Sequence, residues 1–503
     1  PTAGATRLET APRPPAAAGI SARAIAGRAL AIGIVAFGAV AIAWGRTMGP
    51  DTYISLTAGR LIFAHGLPYT EHLTVGAAGR PWIDQQWLAH VIFYALWKVG
   101  GNPAVAASSA LAIGAAIALL YALCMRRGAD PVAAWLGSGA ALVICLMFAE
   151  TRAQSFAYPL FVGLLWIVLR ELDRGRFSPR ALWIVPIIVV WANIHGSVLV
   201  GAAMVAACFG VRALMTAIRR NWRSAAGDAA VALLAVASVL VTPYGSAIVA
   251  YYPRVLGDPA LATISEWQPS SFNVINLPFV ALLMGTLGAA CFARGRGLRL
   301  QWWPIAIAAV LAALATHALR YQVWFGVSAA PALAAIITQL RGRSADTGPM
   351  PRRIAIPALA LMVAATLGVV AALATTPTSR YEGFVSQSAV ATAARYADAH
   401  PAVRVLGDDS TGSALLWQHP ELAGRVGFDA RTEIYPPKRF ITFASFLVVA
   451  GRNWTAATHG YQELAITCWL HPGLCPAVEH LKAWRVLSTR DGGLVAVRRS
   501  STA

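Results

Sequence analysis

The sequence predicts an α-helical polytopic membrane protein: about 11 transmembrane helices, interfacial helices in the first outer loop, and a small C-terminal α/β extracytoplasmic domain. Three observations carry this reading. The 503-residue chain is 57% hydrophobic and only 13% charged, against roughly 45–50% and about 25% in soluble domains. Apolar runs of the length that crosses a bilayer recur along it. Its basic residues, which give a net charge of +19, sit mainly between those runs. That is the positive-inside pattern and not a nucleic-acid-binding face, so no nucleic-acid partner is expected.

The runs fall at about 24–45, 103–124, 131–149, 156–171, 181–197, 198–216, 226–248, 276–293, 302–319, 322–340 and 354–375. The stretch 82–99 is apolar too, and charge arbitrates. If it does not span, Arg126/Arg127, Arg170/Arg174/Arg176/Arg180, Arg212/Arg219/Arg220/Arg223, Arg294/Arg296/Arg299 and Arg341/Arg343/Arg352/Arg353 share one side with the N-terminal Arg7, Arg13, Arg23 and Arg28. That side is cytoplasmic. Gln86, His90, Tyr94 and Lys98 also form a polar stripe at i, i+4 spacing, so an interfacial helix on the outer surface is expected.

Residues 1–22, rich in Ala, Pro and Arg, read as a disordered cytoplasmic tail; 23–376 form the transmembrane domain, with a first outer loop at 46–102. The remainder, 377–503, reads as an extracytoplasmic α/β domain with a helix at 387–399 and β pieces Val403–Leu406, Arg425–Phe428, Leu464–Thr467, Trp484–Ser488 and Leu494–Val497. The protein is expected in the inner (plasma) membrane with a cytoplasmic N-terminus. Cys468 and Cys475 make the only plausible disulfide pair; the other four cysteines lie in apolar runs. No Cys/His spacing resembles a zinc site, and no Walker or GxGxxG pattern is present.

The polar chemistry gathers in the outer segments. Asp51 follows the first span, where a carboxylate can act as general base or help hold a divalent cation; it can equally cap a helix beginning at Thr52. Asp84 offers the same pair of readings, catalytic group or helix cap. Arg60 and Arg80 can counter a phosphate with forked hydrogen bonds, as can Arg320 and Arg152, which break the cytoplasmic bias of arginine. Asn193, His195, Glu266 and Trp267 lie at span ends or in the middle outer loop, where they can bind substrate or serve structure alone. Asp408-Asp409 and Asp429-Ala430-Arg431-Thr432-Glu433 can carry acid/base or metal chemistry, although adjacent Asp residues after a strand more often form a turn.

An apolar first span, a long outer loop opening with Asp51 and an aromatic, and a Gly-Arg-rich stretch resemble the GT-C superfamily of integral membrane glycosyltransferases. So do Trp191-Ala192-Asn193-Ile194-His195-Gly196 and Phe428-Asp429-Ala430-Arg431, which match short motifs of its bacterial members. The resemblance implies transfer of a sugar from a polyprenyl-phosphate donor to a glycan, lipid or protein acceptor at the outer face, among membrane lipids, with Asp51 as catalytic base. The loop opens with a single acid and not the paired acids of some branches, which weakens the case for a divalent metal (Mg or Mn). Other readings are a lipid or glycan transporter or flippase, an outer-face glycan polymerase or ligase, and a catalytically silent membrane part whose C-terminal domain recruits a partner.

Overall fold

The computed structural model describes residues 22–43, 48–271, 273–298, 300–342 and 352–499; the expected tail 1–22 falls outside them apart from Ala22. Each of the eleven apolar runs is helical over at least part of its length. Five helices among the described residues are long and apolar enough to cross a membrane: Trp87–Arg126, Ala153–Arg174, Val198–Ile218, Leu277–Gly295 and Leu319–Leu340. Ile25–Ala41, Pro131–Met147, Pro179–Ala192 and Trp302–His317 are apolar but shorter. The chain is thus mostly helical and built for a membrane.

Two expectations change. The run at 226–248 is helical from Trp222 only to Ser238, because Thr242-Pro243-Tyr244-Gly245 turns the chain. Arg212, assigned to a loop by its charge, lies inside helix Val198–Ile218, where its Nε donates to Asp228 at 2.8 Å. The partner neutralises it, which lets it sit among apolar neighbours. The stretch 82–99 is helical from Trp87 and, as expected, is set apart from the helix that runs on to Arg126: the backbone between them is non-helical at Gly100 and Gly101 and bends there, with Gly101 at φ +60, a conformation that favours glycine. The arm before the bend packs on helix Pro50–His65 at Gly59, where a β-carbon would collide with the His90 carbonyl.

The C-terminal region carries a four-stranded sheet of β1 (Val405–Gly407), β2 (Glu463–Thr467), β3 (Trp484–Ser488) and β4 (Gly493–Arg498) in the order β1-β2-β4-β3. β1 and β2 are parallel and the other pairs antiparallel. Helices Gln387–Ala399 and Asp409–Gln418 pack beside it, the second capped by Asp408, whose Oδ1 accepts from Ser410 N and Thr411 N at 3.1 and 2.9 Å. Cys468 and Cys475 are joined.

The expected strand Arg425–Phe428 is a bridge between two parts of the chain. On one side Val405 N donates to Arg425 O at 2.9 Å; on the other, Val75 N and Gly76 N donate to Val426 O and Gly427 O at 2.8 and 2.9 Å. The segment 70–82 is therefore stitched onto the C-terminal region by backbone. A single core follows, in which Tyr53, Leu73, Trp82 and Phe93 of the first segment pack with Leu406, Phe428, Tyr435 and Phe443.

One feature of the sheet sets a pH dependence. Glu463 on β2 is buried with neither carboxylate oxygen hydrogen-bonded among the described residues, and burial raises its pKa to about 9 against the pull of Arg425. The folded form holds this proton, so stability is fully present below the unfolded carboxyl range and is lost as pH rises toward 9. Glu463→Gln should remove that loss. Its apparent Tm should exceed wild type by a margin that grows between pH 5 and 9; a constant margin would show that the group does not titrate this way.

Candidate active site

Asp51 occupies the first turn of helix Pro50–His65, whose N-cap is Gly49 and whose first residue is Pro50. Proline at N1 needs no cap for its missing N–H, so Asp51 is not the cap and its carboxylate is left for other work. Thr52 Oγ1 donates to the Thr151 carbonyl, which ties this helix start to the turn that carries Arg152. Arg152 is buried and pairs with Glu266. Glu266 stands in the 3-10 turn Ser265–Trp267, whose Trp267 ring lies 4.2 Å under the Arg320 guanidinium. Leu319 N donates to Gln268 O at 3.1 Å, which holds the Glu266 and Arg320 turns together.

From the next segment, Asp84 Oδ2 meets His90 Nδ1 at 2.9 Å. His195 Nδ1 accepts from Ser197 N at 3.1 Å, which leaves Nε2 as the protonated, donating nitrogen of a neutral ring. Burial, with Arg320 and Arg152 nearby, keeps its pKa well below the usual histidine value. Around these groups lies a polar cleft of about 780 Å³ lined by Asp51, Asp84, Gln85, Arg152, His195, Glu266, Arg320, Arg431 and Glu433 among others.

The cleft's electrostatics separate its acids. Asp51 is open to the cleft's water but surrounded by protein, which raises its pKa to about 6 against the opposing pull of Arg152. Glu433 is raised by its burial to about 7. For Glu266 burial acts upward, yet Arg152 overcomes it and holds the carboxyl below its usual value.

Six of the ten expected site residues thus meet in this cleft: Asp51, Asp84, Arg152, His195, Glu266 and Arg320. Trp267 lines the space next to it. The other three are placed elsewhere, fully engaged. Arg60 donates to the Trp417 and Leu416 carbonyls at 2.9 and 2.7 Å and stacks on Trp417; Arg80 Nε donates to Ile434 O at 3.0 Å. Asn193 accepts from Trp87 Nε1 at 2.7 Å and donates to the Val189 and Val241 carbonyls at 2.8 and 2.9 Å. Arg431 and Glu433, from the Asp429–Glu433 segment read as a candidate for acid/base or metal chemistry, line the cleft as well, and so does Gln85, which its sequence context did not single out. Gln85 Oε1 is buried here with no hydrogen-bond partner among the described residues, an orphan acceptor of the kind a ligand satisfies.

Arg431 is held by both halves of the wall. Its guanidinium reaches Glu71 Oε2 at 2.6 Å and Asp429 Oδ2 at 2.5 Å, with the Trp82 ring 4.2 Å away. Glu71 in turn accepts from Leu73 N and Thr74 N, both at 2.8 Å.

For a divalent cation, Asp408, Asp409 and His471 bring one ligand atom each within 4.8 Å of one another. Asp408 is already spent, however: it caps its helix and Oδ2 also accepts from Thr411 Oγ1 and Thr467 N at 2.6 and 2.8 Å. In the cleft, Asp84 is committed to His90 and Glu266 to Arg152. Neither donor set fits a metal cage as it stands.

Beyond His195 and Arg320 the cleft opens into a second space of about 1110 Å³, walled by Leu199, Tyr251, Tyr252, Val255, Leu314 and Trp324. Through Val200, Ala203 and Leu314 it meets an almost wholly apolar groove of about 890 Å³ between helices Val198–Ile218 and Trp302–His317.

No protein-family model matches the sequence, and no curated protein does. Solved structures do match. The archaeal oligosaccharyltransferase AglB from Archaeoglobus fulgidus, in complex with an inhibitory peptide and a dolichol-phosphate, superposes with TM-score 0.52 at 11% identity over 94% of this chain and 74% of its own. The oligosaccharyltransferase of the same organism, tethered to an acceptor peptide containing the NVT sequon, gives 0.53 at 11% over 91% and 72%. ArnT from Cupriavidus metallidurans bound to undecaprenyl phosphate gives 0.49 at 15% over 94% and 98%. At these identities the likeness is one of fold. The chain carries the fold of the archaeal oligosaccharyltransferase, a membrane-protein architecture in keeping with the resemblance read from its sequence.

Replacing Arg431 by Met should strand Glu71 and Asp429 as buried unpaired carboxylates, at a cost of about 3–5 kcal/mol. The double variant Arg431→Met with Glu71→Gln should recover part of the lost Tm. Absence of that recovery would show that the pair does not couple the two halves.

Proposed function

We propose that the protein is a membrane glycosyltransferase that moves a sugar from a polyprenyl-phosphate donor to a cell-envelope acceptor at the outer face of the membrane. One observation carries this: a polar cleft holding an unpaired carboxylate and two buried or half-buried arginines runs directly into an apolar groove between helices. A lipid phosphate needs that combination, because its charge must sit beside cations while its tail stays out of water. The dolichol-phosphate bound by the archaeal protein of the same fold supports the assignment. Orientation follows from charge. Arg126, Arg127, Arg174, Arg219, Arg296 and Arg341 all stand at the helix ends away from the cleft, so the cleft and the C-terminal domain face outward by the positive-inside rule.

In this reading Asp51 takes the proton from the acceptor's nucleophile as that atom bonds to the anomeric carbon. The bond from that carbon to the phosphate oxygen breaks, and the phosphate leaves with the electron pair. Arg152 and Arg320 stabilise the charge that develops on it, and the His195 Nε2–H is available as a further donor. A base with a pKa near 6 is ionised at neutral pH yet stronger than an ordinary carboxylate. No step is routed through a metal, for which the cleft offers no free cage; a divalent cation would add charge neutralisation at the leaving phosphate if one were bound there.

Asp51→Asn should lower kcat by roughly 10²–10⁴-fold, measured with radiolabelled polyprenyl-phosphate sugars in detergent, with a Tm no lower than wild type, since loss of a carboxyl whose pKa is raised on folding does not destabilise at neutral pH. Transfer at the wild-type rate would refute the reading. The wild-type rate should fall as pH drops through about 6, where Asp51 gains its proton. Arg320→Gln should raise KM for the donor by at least tenfold and leave binding of a free prenyl alcohol unchanged, since only the phosphate contact is lost.

A further inference from the structure

A second cationic cleft lies at the opposite end of the helices that build the site. Helix Ala157–Arg174 leaves the Arg152 turn and runs 18 residues, about 27 Å at 1.5 Å per residue, to Arg174; Pro179–Ala192 returns to the His195 turn. The far-end loops 174–180 and 219–224 enclose a space of about 1040 Å³ lined by Arg174, Arg176, Arg180 and Arg223, with Phe177 and Ser178 in its wall. Arg174 is paired with Glu171 at 2.5 Å and reaches Ser178 Oγ at 3.3 Å. The guanidinium groups of Arg176, Arg180 and Arg223 have no acidic partner among the described residues, so three uncompensated charges converge on one concavity.

Trp183 and Trp222, each 67% exposed, respectively follow Arg180 by three residues and precede Arg223 by one in the chain segments that line this cleft. Exposed Trp at helix ends is the mark of the headgroup level of a bilayer, and the cleft lies about one hydrocarbon thickness from the site at the other end. We propose that this cleft binds a phosphate-bearing anion, the headgroup of an anionic phospholipid in the leaflet opposite the active site. Forked guanidinium donors match its phosphate oxygens, Phe177 backs the glycerol region, and the tryptophans seat the ester level. The inference rests on the two-ended arrangement of the chain and not on the transferase reading.

The test uses full-length protein in detergent, equilibrated with equal phosphatidylglycerol and phosphatidylcholine and read by native mass spectrometry. Wild type should retain phosphatidylglycerol preferentially, and R176Q/R180Q/R223Q should lose at least fivefold of it. R294Q/R296Q, which removes charge from another far-end loop, should keep it, as should R320Q at the opposite site. Equal loss in R294Q/R296Q would reduce the effect to bulk surface charge and overturn the site. Competition of the retained lipid by millimolar inorganic phosphate would show that the cleft takes a soluble anion and overturn the lipid assignment. Sugar transfer by R176Q/R180Q/R223Q should continue, so this proposal and the transferase reading can fail independently.

Discussion

The cleft depends on a buried guanidinium. Arg431 is shared between Glu71, from the segment after the first helix pair, and Asp429, its own neighbour in the C-terminal region. One planar fork satisfies two carboxylates at once because its donors point along separate edges. Pairs of this kind add little net stability, since desolvation consumes most of the Coulomb gain, but they penalise every arrangement in which a partner is missing. The consequence here is geometric. With 73–76 hydrogen-bonded to 424–427 on one side and Arg431 locked on the other, the C-terminal domain is seated in one register on the membrane part. Glu433, two residues on, then reaches the cleft.

Charge balance within the cleft follows from the same economy of partners. Asp84 is engaged by His90 and Glu266 is paired with Arg152, whereas Arg320 rests on a π face with no carboxylate at ion-pair distance among the described residues. A cation held by an aromatic ring keeps its position while its electrostatic demand stays open. That makes the Arg320 end, beside the neutral His195 and the mouth of the apolar groove, the natural seat of an incoming anion. The Asp51 end keeps a carboxylate with no ion-pair partner among the described residues, the base of the proposed reading. The two roles are thus separated in space by which partners the fold supplies.

Much of the architecture was legible because membrane segments obey two strong rules, apolar length and charge asymmetry, and both act locally along the chain. Asp51, Arg152, His195, Glu266 and Arg320 were legible for the same reason: polar residues at span ends on one side must gather. What could not be read was pairing over long separations. Arg60 and Arg80 look like phosphate clamps in sequence, but the C-terminal carbonyls that occupy them lie more than 350 residues away. Glu71 gives no local sign that its partner is Arg431. Arg425–Phe428 has the residues of a strand, and only the arrival of 73–76 on its other side makes it a bridge. Arg212 misled by charge alone, since Asp228 in the next helix absorbs it.

The distribution of ionisable groups also bears on which class of membrane chemistry the fold serves. Passage through a membrane calls for polar groups or broken helices near the midplane. Among the described residues, the buried pair of Arg212 with Asp228 and the pair of exposed Arg174 with buried Glu171 stand near the ends away from the cleft. The helices between are closed by aromatic packing of Tyr158, Phe161, Trp191 and Trp324. A plug of interlocked rings directly beneath the polar cleft blocks a continuous polar route while leaving the lateral apolar groove open. On the proposed transferase reading, substrate reaches the cleft from the side, along the lipid, and its charged group stays at one surface. That access suits the proposed group transfer from a lipid carrier.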